Sequence, residues 1–205
     1  MAENIFPTAL FPPVEYFVKL VQSPKVIIDS NEFFQKQSFR NRYEIAGPNS
    51  RQAMTACVTK ANRPKTKVKD VKLSYTEDWQ TKHWRSIITA YNTSPFFLYY
   101  MDDIEMFFKK EYPFLIDMNR ESLNTLCEII GIETEIKYAE KYIEESEPEF
   151  DFRNYFNPKK NNYQNPEYTQ VFEQVHGFMP NLSILDLLFN QGPDTLYYLE
   201  TTLQR

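Results

Sequence analysis

The sequence predicts an α/β protein: a mixed sheet containing an N-terminal βαβ unit, followed by a mainly helical C-terminal half. Three observations carry this. Two short apolar runs flank an amphipathic segment opened by Pro12 and Pro13, all within the first 29 residues. From Asp78 onward the apolar residues recur at helical spacing. A chain of 205 residues with 42% hydrophobic side chains can bury a core of its own, and it is read as one domain over residues 1–205.

The elements follow in order. Ile5 to Leu10 is a short strand. Val14 to Gln22 is a helix with Val14, Phe17, Val18 and Val21 on one face, and proline suits its start because the first N–H groups have no partner there. KVIID, Lys25 to Asp29, is a buried strand. Ligands favour the carboxyl ends of parallel strands, here Phe11–Pro13 and Asp29–Ser30. Phe33 to Gly47, Met54 to Val58 and Val68 to Leu73 are strand-like, the last two separated by the basic loop 59–67. Trp84, Ile87, Ile88 and Tyr91 set the apolar face of a helix over Trp79 to Asn92. Pro95 opens another, with the stripe Tyr99, Tyr100, Ile104, Phe107 and Phe108. A third runs from Asn119, as N-cap, to Ile130, with Gly131 as its stop. Glu140 to Asp151 is acidic and reads as solvated surface, and the polar, aromatic stretch 154–170 as a long loop with a functional or mobile role. A helix over Ser183 to Asn190 and a last one presenting Leu196 and Leu199 close the chain.

Composition excludes several function classes. The net charge of −5 argues against nucleic acid as the main partner, because phosphate-backbone binding relies on Lys and Arg. No apolar run is long enough to cross a membrane, so no membrane insertion is expected. The first residues have no basic segment of a secretory signal, and Cys57 and Cys127 stand 70 positions apart, which predicts unpaired thiols and a cytoplasmic location. Two cysteines and two histidines without close spacing make no zinc cage, so no metal site is expected. Four glycines, in neither GxGxxG nor GxxxxGK[ST], leave no dinucleotide fingerprint or P-loop, and the sequence identifies no cofactor.

Chemistry-bearing residues concentrate in KQSFRNR. On a strand, Lys36, Ser38, Arg40 and Arg42 would share one face and present cations and a hydroxyl to a phosphate or carboxylate, with Asn41 on the other. A solvated sheet face would look the same. His83, at the edge of a helix stripe, is the candidate acid–base group, with Lys36 as its catalytic companion; a core or surface histidine is the alternative. His176, in a turn, is weaker. The surplus of aromatic rings suggests a lined cleft, for which Tyr16 and Tyr91 are the substrate-binding candidates. Asp186 and Asn190 are further binding candidates, although Ser183 and Asp186 also fit a helix-start capping box.

PTALFPPVEYF, IIDSNEFFQKQSFRNRYEI, DWQTKHWRSIITAYNTSPFF and MPNLSILDLLFNQGP, in this order, resemble the WbqC-like protein family. The Asn41–Arg42 pair, Lys82–His83 and SILDLLFN are the most specific of these matches, and Phe6 departs from the glutamine that many members carry before the first proline. The family takes its name from bacterial O-antigen gene clusters. The resemblance therefore implies a transferase or ligase acting on an activated sugar or an acyl or aminoacyl donor, in surface-polysaccharide or amino-sugar metabolism. The alternative is a non-catalytic protein that binds a sugar or peptide in an aromatic-rich cleft.

Overall fold

The computed structural model describes residues 3–59, 66–144, 147, 149–160 and 162–202. The expected α/β architecture is present: strands in the N-terminal part and helices dominating the C-terminal half. β1 (Asn4–Pro7), α1 (Val14–Val21) and β2 (Lys25–Asp29) form the βαβ unit, with β1 and β2 parallel in the register Asn4↔Val26 to Pro7↔Asp29. The unit forms because both strands carry apolar side chains to each face, and α1 buries Val14, Tyr16, Phe17, Val18 and Leu20.

β3 (Arg42–Ala46) and β4 (Arg51–Thr55) make an antiparallel hairpin. Its turn is closed by the Gly47 N–H on the Ser50 carbonyl. Next come α2 (Trp79–Tyr91), capped by the Asp78 carboxylate on the Thr81 N–H, α3 (Phe97–Lys109) and α4 (Leu115–Ile130). Gly131, at φ +82°, ends α4 as its sequence position predicts, because glycine carries no steric cost in that left-handed conformation. β5 (Glu135–Tyr138) then pairs parallel with β2 on the side away from β1, giving the sheet order β1-β2-β5. The short α5 (Glu173–His176), then α6 (Ile184–Gln191) and α7 (Thr195–Thr201) follow, and α6 and α7 pack against α1.

Several expectations are corrected. The first strand stops at Pro7, and the chain turns through Phe11 at φ +41° into α1. Phe33 makes only an isolated bridge to Lys67 and residues 36–41 are turns rather than strand, with Gln37 at φ +58°, so regular pairing begins at Arg42. Val68–Asp70 is a helical turn, not a strand. α4 starts four residues before Asn119, because the apolar face already opens with Leu115, Ile116 and Met118. β5 was not anticipated: its exposed, alternating edge carries Glu135 and Lys137 and gives little apolar signal. Most of the basic loop 59–67 lies outside the described residues. Both cysteines are free thiols, Cys127 in the core and Cys57 partly exposed.

One further pairing decides where a site can form. The segment around Asp151 runs parallel beside β1, with Ile5 donating to the Phe150 carbonyl and Phe152 donating to the Ile5 carbonyl, both at 2.8 Å. The chain leaves β1 toward β2 on one side, while this segment flanks it on the other. Such a point of divergence opens a crevice at the carboxyl ends of the strands.

Candidate functional site

Two arginines and three carboxylates occupy that crevice. Asp29 ends β2 and is fully buried, and Glu32 follows in the turn. Arg40 donates from Nε to Glu32 Oε1 at 2.8 Å and from Nη2 to the other oxygen of the same carboxylate. It donates again from Nη2 to the Arg153 carbonyl at 3.0 Å. Arg153 in turn bridges from Nη1 to Asp29 Oδ2 and to the Ile143 carbonyl at 2.8 and 2.7 Å, and grips Asp151 through Nε and Nη2 at 2.9 and 2.6 Å. Buried charges are tolerated only when paired and hydrogen-bonded in this way. Burial pushes Glu32 up to about 7 despite Arg40, with Asp29 adding to the rise and Arg153 opposing it. The hydrogen bonds of Asp151 and Asp29 hold Arg153 firmly protonated.

This chain of ion pairs joins two loops, and the loops wall a cavity of about 300 Å³. One wall is Gln35, Lys36, Gln37 and Ser38; the other is Asn154, Phe156, Asn157, Lys159 and Lys160. Gln35 Nε2 crosses between them to Asn154 Oδ1 at 2.7 Å. The Gln37 turn buries Ser38, whose hydroxyl donates to the Gln35 carbonyl at 2.6 Å. Lys159 is set by an Asx turn in which its N–H meets Asn157 Oδ1 at 2.9 Å. Among the described residues, three lysines line the cavity and no carboxylate does. Among the described residues none of the three makes an ion pair. No group of His, Cys, Asp and Glu among the described residues could hold a metal ion.

The structure separates the residues that the sequence grouped. Lys36 and Ser38 reach the cavity. Arg40 lies behind it, buried against Glu32, because the turn at 36–41 breaks the strand alternation that would have aligned it with Lys36. Asn41 is buried, with Nδ2 on the Ala56 carbonyl at 3.1 Å. Arg42 opens β3 and donates from Nε to Thr55 Oγ1 at 3.2 Å, away from the cavity lining. Tyr16 is fully buried, donates to the Pro7 carbonyl, and touches the cavity-lining Phe156, ring centroids 4.9 Å apart, without lining the cavity itself.

The expectation that His83 shares a pocket with Lys36 is corrected. His83 is buried among Trp79, Tyr43 and Phe108, with Nδ1 3.1 Å from the Tyr43 hydroxyl. Burial lowers it to about 4, so it is a neutral imidazole, and it is not among the residues that line the cavity. Trp84 and Ile87 turn this face of α2 inward, and residue 83 is carried into the core with them.

Asp186 forms a separate center. It accepts from Tyr91 at 3.0 Å, Tyr168 at 2.7 Å and Gln170 at 2.9 Å, and burial raises it to about 6. Ser183 does cap α6 through the Leu185 N–H, but Asp186 points into this network rather than completing a capping box. Asn190 donates to the Asp186 carbonyl and borders a shallow cleft of about 510 Å³ with Ser94 and Gln170. Asp186, Tyr91, Tyr168 and Gln170 thus bond to one another, while Asn190 and Gln170 also face the cleft. His176, which the sequence places in a turn, instead ends α5, where its Nε2 donates to the Pro48 carbonyl at 2.7 Å.

Sequence reasoning missed Glu32, Arg153, Asp151, Lys159 and Lys160. The usable signals were Asp29–Ser30 as a strand end and 154–170 as a functional loop; what joins them is the pairing of residue 151 with β1.

In comparison with known proteins, the chain is 25% identical over 224 residues to the uncharacterized protein Rv1507c of Mycobacterium tuberculosis, covering 90% of this chain and 91% of that protein. No solved structure is significantly similar to it. The model of the WbqC-like protein family matches residues 8–157 and 152–198. The chain, from the crevice residues of β2 through the SILDLLFN helix, belongs to the WbqC-like protein family.

Proposed function

We propose that this protein binds an anionic small molecule in the cavity between residues 35–38 and 154–160, and acts on it as a transferase or ligase. The carrying observation is the lining itself: Lys36, Lys159 and Lys160 with no carboxylate among the described residues, in a chain whose net charge is −5. Lysine ammonium groups are point charges suited to phosphate or carboxylate oxygens, and side-chain amides beside them offer further donors. The cavity's two loops follow the carboxyl end of β2 and the segment paired with β1, and α/β folds place ligands at strand carboxyl ends. In group transfer, the lysines would orient the donor and neutralise charge on its leaving group, with Lys36 the nearest sequence-predicted residue to that role. Family membership supports an activated sugar or an acyl or aminoacyl donor, in surface-polysaccharide or amino-sugar metabolism. Free thiols and the lack of a membrane-spanning helix among the described residues are compatible with action in the cytoplasm.

Calorimetric titration with phosphate and pyrophosphate tests this. The native chain should bind pyrophosphate, Lys36→Ala and Lys159→Ala should each weaken it several-fold, and Arg42→Ala should not. No binding by the native chain, or unchanged binding by both lysine variants, would overturn the reading.

A further inference from the structure

Two exposed aromatic rings stand close, in the chain or by contact, to the cavity walls and the buried ion pairs. Phe33 is 42% and Tyr142 39% exposed, with ring centroids 6.0 Å apart and planes inclined by 40°. Both are anchored. The Glu32 carbonyl accepts from Val68, and the Phe34 N–H donates to the Thr66 carbonyl, both at 2.9 Å, so the backbone at Phe33 is paired on both sides. The Arg153 guanidinium lies 5.3 Å from the Tyr142 ring centroid and donates to the carbonyl of neighbouring Ile143.

Both rings are connected to residues that wall the cavity. Phe33 stands two residues, roughly 7 Å of extended chain, before Gln35. Tyr142 is tied through Arg153 to Asn154, which lines the other wall. Resting on the anion site proposed above, we infer that the ligand is a nucleoside diphosphate, its phosphates on Lys36, Lys159 and Lys160 and its base on the Phe33–Tyr142 pair. Three lysines match the charge of a diphosphate. The amides Gln35, Gln37, Asn154 and Asn157 lie with the lysines, where hydroxyl groups would be bound. The exposed pair offers apolar ring faces, which suit a planar base, since every base has a π-face that stacks on aromatic side chains.

Titrations of the native chain, Phe33→Ala and Tyr142→Ala with ADP, UDP, pyrophosphate and glucose 1-phosphate decide the matter. Both substitutions are at exposed rings, and circular dichroism with a thermal melt verifies that each variant is folded. Either nucleotide should bind roughly 10-fold tighter than pyrophosphate. Phe33→Ala and Tyr142→Ala should erase that advantage and leave pyrophosphate binding unchanged. Equal binding of nucleotides and pyrophosphate, equal losses for both in the variants, or tighter binding of glucose 1-phosphate would each overturn the base platform while leaving the anion cavity standing. Failure of every anion to bind would overturn the cavity reading and this inference with it.

Discussion

Arg40→Met probes the buried ion pairs through the pH dependence of stability. Arg40 and Glu32 are almost completely buried, and burial already lifts the Glu32 carboxyl to about 7 against two hydrogen bonds from Arg40. Its folded value stands above its ordinary value, so the native state keeps the proton longer than the unfolded chain. The contribution of Glu32 to stability therefore falls as pH rises from about 4.5 to about 7 and is level beyond. Methionine fills similar volume without a charge, and the folded value rises further. The downward slope then continues above pH 7, at about 1.4 kcal/mol per unit. A fixed loss of about 1–3 kcal/mol accompanies it, because the buried Arg153 carbonyl loses its donor. Urea unfolding of both proteins should show the cost of the substitution growing by about 2 kcal/mol between pH 7 and 8.5. Adding Glu32→Gln should abolish the growth and leave the fixed part. A cost that is the same at pH 6 and pH 8.5 would refute the reasoning, since it would mean Glu32 does not feel Arg40 as a charge.

His83 should act with the opposite sign: lowered to about 4 by burial, it makes stability rise between pH 4 and 6.5, by at most about 3 kcal/mol. His83→Gln should flatten that rise relative to the native chain in urea midpoints, and an unchanged pH profile would show the imidazole to be solvated. Gly192 has φ +55° and ψ −122°, and a Cβ there would meet the Phe96 ring at 2.4 Å. Gly192→Ala should therefore cost about 2–4 kcal/mol by thermal or urea unfolding, from strain and overpacking together.

The βαβ unit, the α2 and α6 helices and the stop at Gly131 were legible because each depends on local periodicity and on what a single residue's backbone permits. Strand periodicity failed in KQSFRNR, where the Gln37 turn rotates Arg40 away from Lys36; only the positive φ, which a sequence does not announce for glutamine, decides that. His83 was read from its helix edge, but burial depends on what packs across it, and Tyr43 and Phe108 come from elements 40 residues before and 25 after. β5 and the Asp151 pairing are long-range, and their energy comes from partners more than a hundred residues away. Residue types alone thus singled out Lys36 and Ser38, which line the cavity, and the strand end at Asp29. The tertiary structure alone brought Arg153, Lys159 and Lys160 to them, because a parallel segment beside β1 is fixed by backbone hydrogen bonds that carry no side-chain pattern.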